Sequence, residues 1–346
     1  MNRAASIALA PLSGIYAGLV RTGNALYRRD VFRAHKVDAP VISVGNLTTG
    51  GTGKTPLVEW IARELAASGR RVCVLTRGYG RESSGRVIVS NGNEIFVDAN
   101  LAGDEPFLLA ENLKGQAAVV CDADRLAAAI WAQENLRSNT FVLDDGFQHQ
   151  RIARDLNIAT IDATNPWGNG RMLPAGILRE PRRALDRADS VMITRADDLE
   201  QVAKVRKEIE VLNPEAAIFT CRTELDRWQP LSGDHDAVND LKAVPVAAFC
   251  ALGNPGSFFS MLRRNGYDVR STRAFRDHHK YSRAEVARLT QQATAGGAQA
   301  LLTTTKDAVK LRSFAFSLPC YAAETVINLD KTDEFRALVL KALTQS

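Results

Sequence analysis

The stretch Val41-Ile42-Ser43-Val44-Gly45-Asn46-Leu47-Thr48-Thr49-Gly50-Gly51-Thr52-Gly53-Lys54-Thr55 constrains this chain more than any other. An apolar, β-rich run at 41–44 enters a glycine-rich turn, and Gly-Lys-Thr then opens a helix predicted over 56–67. That succession of strand, loop and helix is what a phosphate-binding P-loop requires. Glycines let successive backbone N–H groups converge on one anion, and the helix N-terminus adds a favourable field. On this reading Thr48, Thr49, Gly50, Gly51, Thr52, Gly53, Lys54 and Thr55 form an ATP site. Lys54 is expected to reach the β- and γ-phosphates, and the Thr55 hydroxyl to ligate Mg²⁺. The first position of the usual G-x-x-x-x-G-K-[ST] pattern holds Thr48, a departure that Gly50, Gly51 and Gly53 offset.

Strand and helix patterns alternate around this loop. Strands are predicted at 72–75, 117–121, 141–143, 158–161 and 191–194, with helices at 104–112 and 125–135 and a charged helix running to 212. A hairpin is expected over 87–97, turning at Asn91-Gly92-Asn93. Such alternation predicts a mostly parallel sheet with helices on both faces. A second α/β unit begins near Pro245, where a strand at 246–252 runs into Gly253-Asn254-Pro255-Gly256 and a further strand follows at 300–304. The expected fold class is therefore α/β: a P-loop NTPase-like α/β/α domain, a second, smaller α/β domain and an N-terminal amphipathic helix. The boundaries read as 1–36 for that helix, 37–221 for the P-loop domain, 222–244 for a linker, 245–330 for the smaller domain and 331–346 for a C-terminal helix.

A P-loop needs a second acidic group at a strand end to organise Mg²⁺. Asp144 and Asp145 follow the apolar run at 141–143, with Asp144 the first choice for that role. A kinase also needs a base for the attacking hydroxyl. Asp104, in Gly103-Asp104-Glu105-Pro106, is one candidate, although a carboxylate at a helix start also reads as an N-cap. Asp277-His278-His279 supplies another, and with no third and fourth ligand at usable spacing it is not read as a metal site. Basic residues gather in loops after strands: Arg77 with Tyr79 in Arg77-Gly78-Tyr79-Gly80-Arg81, Arg171 in Gly168-Asn169-Gly170-Arg171, and Arg179 with Glu180 in Leu178-Arg179-Glu180-Pro181. Loops at that edge of an open α/β sheet carry ligands, and arginines there suit phosphate or carboxylate recognition.

The N-terminus is uncharged over 4–20 and is then followed by Arg21, Arg28, Arg29, Arg33 and Lys36 against Asp30. Leu12, Ile15, Tyr16, Leu19, Val20, Leu26 and Tyr27 recur at helical spacing, with Pro11 suited to a first turn. Two readings stand level: a helix lying on an anionic membrane surface, and a helix packed on the protein's own core. A secretory signal fits less well, since only Arg3 supplies a basic region and no clear cleavage site follows. No run is long enough to span a bilayer convincingly. The five cysteines are scattered with no CxxC pair, which reads as buried, reduced thiols. A net charge of +5 fits an anionic partner without selecting one. Aromatics are only 7% and do not interleave the arginines, which argues against a nucleic-acid-binding module.

Taken in order, these motifs resemble the tetraacyldisaccharide 4'-kinase family. The P-loop through Pro56, Leu75-Thr76-Arg77-Gly78-Tyr79-Gly80, Gly103-Asp104-Glu105-Pro106, Asp144-Asp145-Gly146-Phe147-Gln148-His149, Leu173-Pro174-Ala175-Gly176, Leu178-Arg179-Glu180-Pro181, Asp277-His278-His279 and Thr305-Lys306-Asp307 carry the resemblance across nearly the whole chain. It implies two α/β/α domains joined by a two-stranded linker, with the active site in the cleft. It implies transfer from ATP, with Mg²⁺, to the 4'-hydroxyl of a glycolipid, tetraacyldisaccharide 1-phosphate, at the cytoplasmic face of a bacterial inner membrane, with no nucleic acid and no obligate protein partner. Carried over, Asp104 matches the base and one of His278 and His279 its partner. Lys54 and Thr55 match nucleotide and metal contacts, and Asp144, Asp145 and Gln148 the segment near Mg²⁺. Arg77, Tyr79, Glu105, Arg171, Arg179 and Glu180 are expected near substrate. The alternative is a P-loop GTPase or metal-chaperone NTPase, since Thr194-Arg195-Ala196-Asp197 superficially resembles a guanine-reading T-K-x-D element.

Overall fold

In the computed structural model, residues 9–231, 238 and 240–344 are described. Twelve strands form one sheet in the order β10-β9-β11-β12-β8-β7-β6-β1-β5-β2-β4-β3. The strands nearest the P-loop are β1 (Val41–Asn46), β2 (Val72–Thr76), β4 (Ala117–Cys121), β5 (Thr140–Asp144), β6 (Leu156–Asp162) and β7 (Ser190–Thr194). All of them pair in parallel and are buried along their full length. A parallel sheet covered on both faces needs near-continuous apolar strands, as runs such as Val119-Val120 and Phe141-Val142-Leu143 provide. The edge strand β3 (Val87–Ser90) pairs antiparallel with β4, and Ser90 bridges Ile95, so the expected hairpin forms with a short return arm.

Helix α1 (Ala10–Arg28) precedes the sheet, and α2 (Lys54–Ala67) follows the P-loop. Leu57, Val58, Ile61, Ala62 and Leu65 of α2 are fully buried, a stripe at helical spacing. Each large aliphatic among them contributes about 1.5–3 kcal/mol by leaving water. Helices α3 (Ala99–Ala102), α4 (Asp104–Asn112), α5 (Arg125–Leu136) and α6 (Leu199–Leu212) complete the first half. The second half holds β9 (Val246–Cys250), α7 (Pro255–Arg264), β10 (Val269–Ala274), α8 (Arg283–Ala295), β11 (Ala300–Thr304), α9 (Thr305–Leu311), β12 (Cys320–Leu329) and α10 (Thr332–Lys341).

The long strand β8 (Ala217–Pro230) sets the geometry between the halves. Its start pairs in parallel with β7, and the rest of its length pairs antiparallel with β12, from Cys221↔Leu329 to Pro230↔Tyr321. Because β12 runs against β8, its parallel neighbour β11, and β9 paired in parallel with β11, point back toward the first half. The C-terminal ends of both sets of strands therefore face one another, and ligand sites in α/β sheets lie at such ends. Residues 222–230 of this strand fall in the span expected to be a linker, while 232–237 and 239 of that span lie outside the described residues.

Helix α1 forms where its periodicity predicted, with Pro11 in the first turn. Its apolar set is divided between two sides. Tyr16, Ala17 and Val20 pack on the core beneath β6 and β7, and Ser13 Oγ donates to the Met172 carbonyl at 2.8 Å. Leu12, Ile15 and Leu19 face outward, Leu19 at 70% exposure. Arg3 and the first part of the uncharged stretch lie outside the described residues. Among those described, no helix is long and apolar enough to cross a membrane. All five cysteines are free and buried, as expected.

Candidate active site

The P-loop lies between β1 and α2. Gly53 adopts φ +76° as the residue before α2, a conformation that glycine takes without steric cost and that turns the chain into the helix. Thr52 anchors the loop from below: Asn46 Nδ2 donates to its Oγ1 at 2.9 Å, and that oxygen meets Thr160 Oγ1 at 2.8 Å. Thr48 is buried and bridges Leu178, so it supports the loop from behind. Residues 49–55 line a cleft of about 1630 Å³, together with Arg77, Tyr79, Glu105, Asp144, Asp145, Gln148, Arg179 and His278. One drug-sized ligand takes roughly 300–1,000 Å³, so there is room for a nucleotide and a second ligand.

The two adjacent carboxylates are in different electrostatic settings. Asp145 contacts Lys54 Nζ at 3.4 Å and Arg179 Nη1 at 2.7 Å. Burial would raise its carboxyl, but those two cations outweigh it and hold the group below the usual range. Asp144 accepts from Thr76 Oγ1 at 3.0 Å. Its burial, with the charges of Glu105 and Asp145 nearby, pushes its carboxyl up to about 6. A buried carboxylate short of positive charge is suited to a cation, and a hydroxyl at Thr55 with one or two carboxylates is the sparse oxygen set that Mg²⁺ takes beside phosphates. Gln148 donates to the Asn46 carbonyl at 2.8 Å and to Glu180 Oε1 at 3.1 Å, and accepts from Arg179 at 3.3 Å.

Asp104 is the first residue of α4, and its side chain does not cap the helix. His278 Nδ1 lies 3.2 Å from Asp104 Oδ2, and Lys310 Nζ of α9 lies 2.7 Å from the same oxygen. Burial would raise this carboxyl, but the hydrogen bond with His278 and the contacts with Lys310 outweigh it and hold it below its ordinary value. The His278 ring also lies near that of Tyr79, tilted by 53° with centroids 5.6 Å apart. His279 points elsewhere: its ring stacks on Phe275 at 4.7 Å and its Nε2 sits 3.2 Å from Glu285. The geometry thus separates two histidines that the sequence left equivalent.

Two other expected substrate contacts fall outside the cleft. Arg171 is exposed on a turn where Asn169 Oδ1 accepts its backbone N–H at 3.1 Å. Glu180 is only 2% exposed, accepting from Arg187 at 2.8 and 2.9 Å and from Asn24 of α1 at 2.7 Å. A carboxylate whose oxygens are so occupied braces the wall behind Gln148 and Arg179.

Lys306, Gly253 and Asn254 of the second half and Arg195 of the first also reach this region, and none of them was given a role in the site from sequence. Lys306 bridges Glu105 at 2.8 Å and Asp277 at 3.0 Å. Gly253 sits against the P-loop so closely that a Cβ there would meet Gly51 N at 2.7 Å. Arg195 donates to the Gly51 carbonyl at 2.7 Å and pairs with Asp162, which also accepts from Asn254 at 3.2 Å. Among the described residues, five non-glycines have positive φ, and Asp145, Arg195 and His278 are three of them. Strain of that kind gathers where function fixes a side chain. The turn Gly253-Asn254-Pro255-Gly256 after a strand was a usable signal for this approach; Lys306 was marked only as part of Thr305-Lys306-Asp307, with no role attached.

The sequence model described as tetraacyldisaccharide-1-P 4'-kinase matches residues 5–344. The chain belongs to the tetraacyldisaccharide 4'-kinase family. A relative so named from Geobacter metallireducens is 45% identical over 90% of this chain and 90% of its own length. Another from Desulfotalea psychrophila is 41% identical over 96% and 94%. The crystal structure of Aquifex aeolicus LpxK in complex with ATP is 31% identical and superposes with a TM-score of 0.75, covering 98% of this chain and 99% of that one. Family membership sets aside the GTPase reading of Thr194-Arg195-Ala196-Asp197, whose aspartate is paired with Arg264 at 3.0 Å.

Proposed function

We propose that this family member moves the γ-phosphate of ATP onto the 4'-hydroxyl of tetraacyldisaccharide 1-phosphate, a step of lipid A biosynthesis. The observation that carries the mechanism is the Asp104–His278 contact of 3.2 Å, made across the two halves, with His278 lining the same cleft as the P-loop. Residues 49–55 cradle the nucleotide, with Thr48 supporting the loop from behind, and Lys54 neutralises charge on the β- and γ-phosphates. Thr55 and Asp144 would hold Mg²⁺, with Asp145 and Gln148 close by, and the ion would supply positive charge to offset that of the phosphate oxygens. Asp104 accepts the proton of the acceptor hydroxyl as that oxygen attacks, and His278 orients the carboxylate. Arg77, Tyr79, Glu105 and Arg179 line the same cleft, and this reading gives them to the acceptor. The units 37–221 and 245–330, joined through 222–244, act as the jaws.

The acceptor's acyl chains call for a membrane surface. Leu12, Ile15 and Leu19 of α1, with Val31 and Phe32 beyond it, are exposed apolar side chains beside Arg21, Arg28, Arg29, Arg33 and Lys36. An outward apolar stripe flanked by cations suits peripheral attachment to an anionic leaflet, here the cytoplasmic face of the inner membrane. The mechanism is tested by Asp104→Asn and His278→Ala, singly and together. Loss of a general base lowers kcat by about 10²–10⁴-fold, with Kd for ATP unchanged. Two residues acting as a unit give a double variant no worse than the poorer single one. A multiplicative loss would separate them.

A further inference from the structure

Asp104 Oδ2 receives two groups, and His278 is only one of them. Lys310 approaches from α9 and makes the shorter contact, 2.7 Å against 3.2 Å. Its side chain is 11% exposed, so this ion pair is largely shielded from water, where such pairs carry more weight than on a surface. Both groups converge on one carboxylate oxygen, which leaves the other, Oδ1, for an acceptor. Both also come from the second half, whereas Asp104 lies in the first.

We infer that Lys310 is a positioning residue for the transfer reaction: it pins Asp104 through Oδ2, keeps that carboxylate ionised, and so makes the base complete only when the two halves are together. The inference rests on the reading of Asp104 as base. A cation against one carboxylate oxygen favours the charged form and fixes the rotamer. The other charged groups around Asp104 do not duplicate this role. Glu105, its neighbour on α4, is bound to Lys306, and Asp277 is bound to the same lysine. Lys280 is fully exposed and paired with Glu82 at 2.9 Å. The proton removed from the acceptor hydroxyl passes to Asp104.

The test compares Lys310→Met and Lys310→Arg by steady-state kinetics across pH. Lys310→Met is expected to lower kcat by about tenfold or more, leave KM for ATP within about twofold, and move the acid limb of kcat upward by about one pH unit, since the Asp104 carboxyl loses its cation. Lys310→Arg retains the charge and keeps the acid limb in place. Lys310→Gln, matched in polarity, serves if the methionine variant does not fold. In an Asp104→Asn background the Lys310 change should cost nothing further. Two results overturn the inference: an acid limb that stays put in both neutral variants, or an equal fold-loss with and without Asp104. A merely structural role lowers the active fraction without moving the limb. If Asp104→Asn itself has normal kcat, the base reading fails. If Asp104→Asn is crippled but Lys310→Met is normal, only this inference fails.

Discussion

Replacing Arg187 with Met tests whether Glu180 is a structural anion that braces the wall of the site. Arg187 grips both Glu180 oxygens, at 2.8 and 2.9 Å, and stacks over the Phe147 ring at 4.6 Å. Side-chain exposures of 15% and 2% make this a buried pair. Removing one partner from such a pair costs about 3–5 kcal/mol, because the other charge is left without compensation. Met keeps the aliphatic contact with Phe147, so the loss is mainly electrostatic. For domains of this size such a loss lowers the melting midpoint by on the order of 10 °C. The sign of the pH dependence follows from the carboxyl. Burial would raise it, but the bonds from Arg187, Asn24 and Gln148 hold it below its ordinary value. In the natural chain its stabilisation is complete above the unfolded value of about 4.3 and is lost as pH falls through the lower folded value. In the variant, burial raises the carboxyl instead, and protonation relieves the stranded charge. The gap between the two proteins should therefore narrow from pH 7 to pH 5. Differential scanning fluorimetry across that range reads both effects. A drop under about 2 °C at pH 7, or a gap that widens on acidification, refutes the reasoning.

Three further outcomes follow from the same geometry. Gly253→Ala places a methyl 2.7 Å from Gly51 N, inside ordinary contact distance, so the P-loop and the second half must part; since displacements near 1 Å can cost about 10²-fold, kcat/KM for ATP should fall by roughly 10–100-fold, and unchanged kinetics would show that the loops yield freely. Leu12→Ser, Ile15→Ser and Leu19→Ser together should release the protein from anionic vesicles in flotation and raise KM for the lipid, with melting unchanged because these side chains touch solvent; a melting loss of several degrees would place the stripe in the protein's own core. Arg21→Gln with Arg29→Gln should leave some vesicle binding but reduce its salt sensitivity, because the electrostatic share is screened while apolar burial is not; an unaltered salt profile counts against the polybasic contribution.

Much of the first half was legible because its signals are local. A strand entering Gly50-Gly51-Thr52-Gly53-Lys54-Thr55, or Phe141-Val142-Leu143 running into Asp144-Asp145, needs no distant partner to be read. The direction of the second half was not legible. It depends on β12 pairing with β8 across the intervening chain, and the apolar pattern of β11 is the same whichever way the strand points. Which of His278 and His279 contacts Asp104 depends on a pairing across 174 positions, and the link from Lys306 to Glu105 spans 201. Helix α1 shows a third limit. Periodicity located the helix, but the apolar residues divide between a core side at Tyr16 and Val20 and an exposed side at Leu12, Ile15 and Leu19, and spacing alone does not say what each side meets.

The central claim is a transfer from the P-loop nucleotide to a lipid hydroxyl, and labelled product measures it directly. The protein, ATP carrying a γ-phosphate label, Mg²⁺ and tetraacyldisaccharide 1-phosphate are incubated in mixed micelles, and the position of the label is read by mass spectrometry after mild acid removes the anomeric phosphate. The account predicts label retained at the 4'-position, in a reaction that requires the lipid and is nearly abolished by Lys54→Ala. Label appearing only in inorganic phosphate, or a Lys54→Ala variant close to the natural rate, would contradict it.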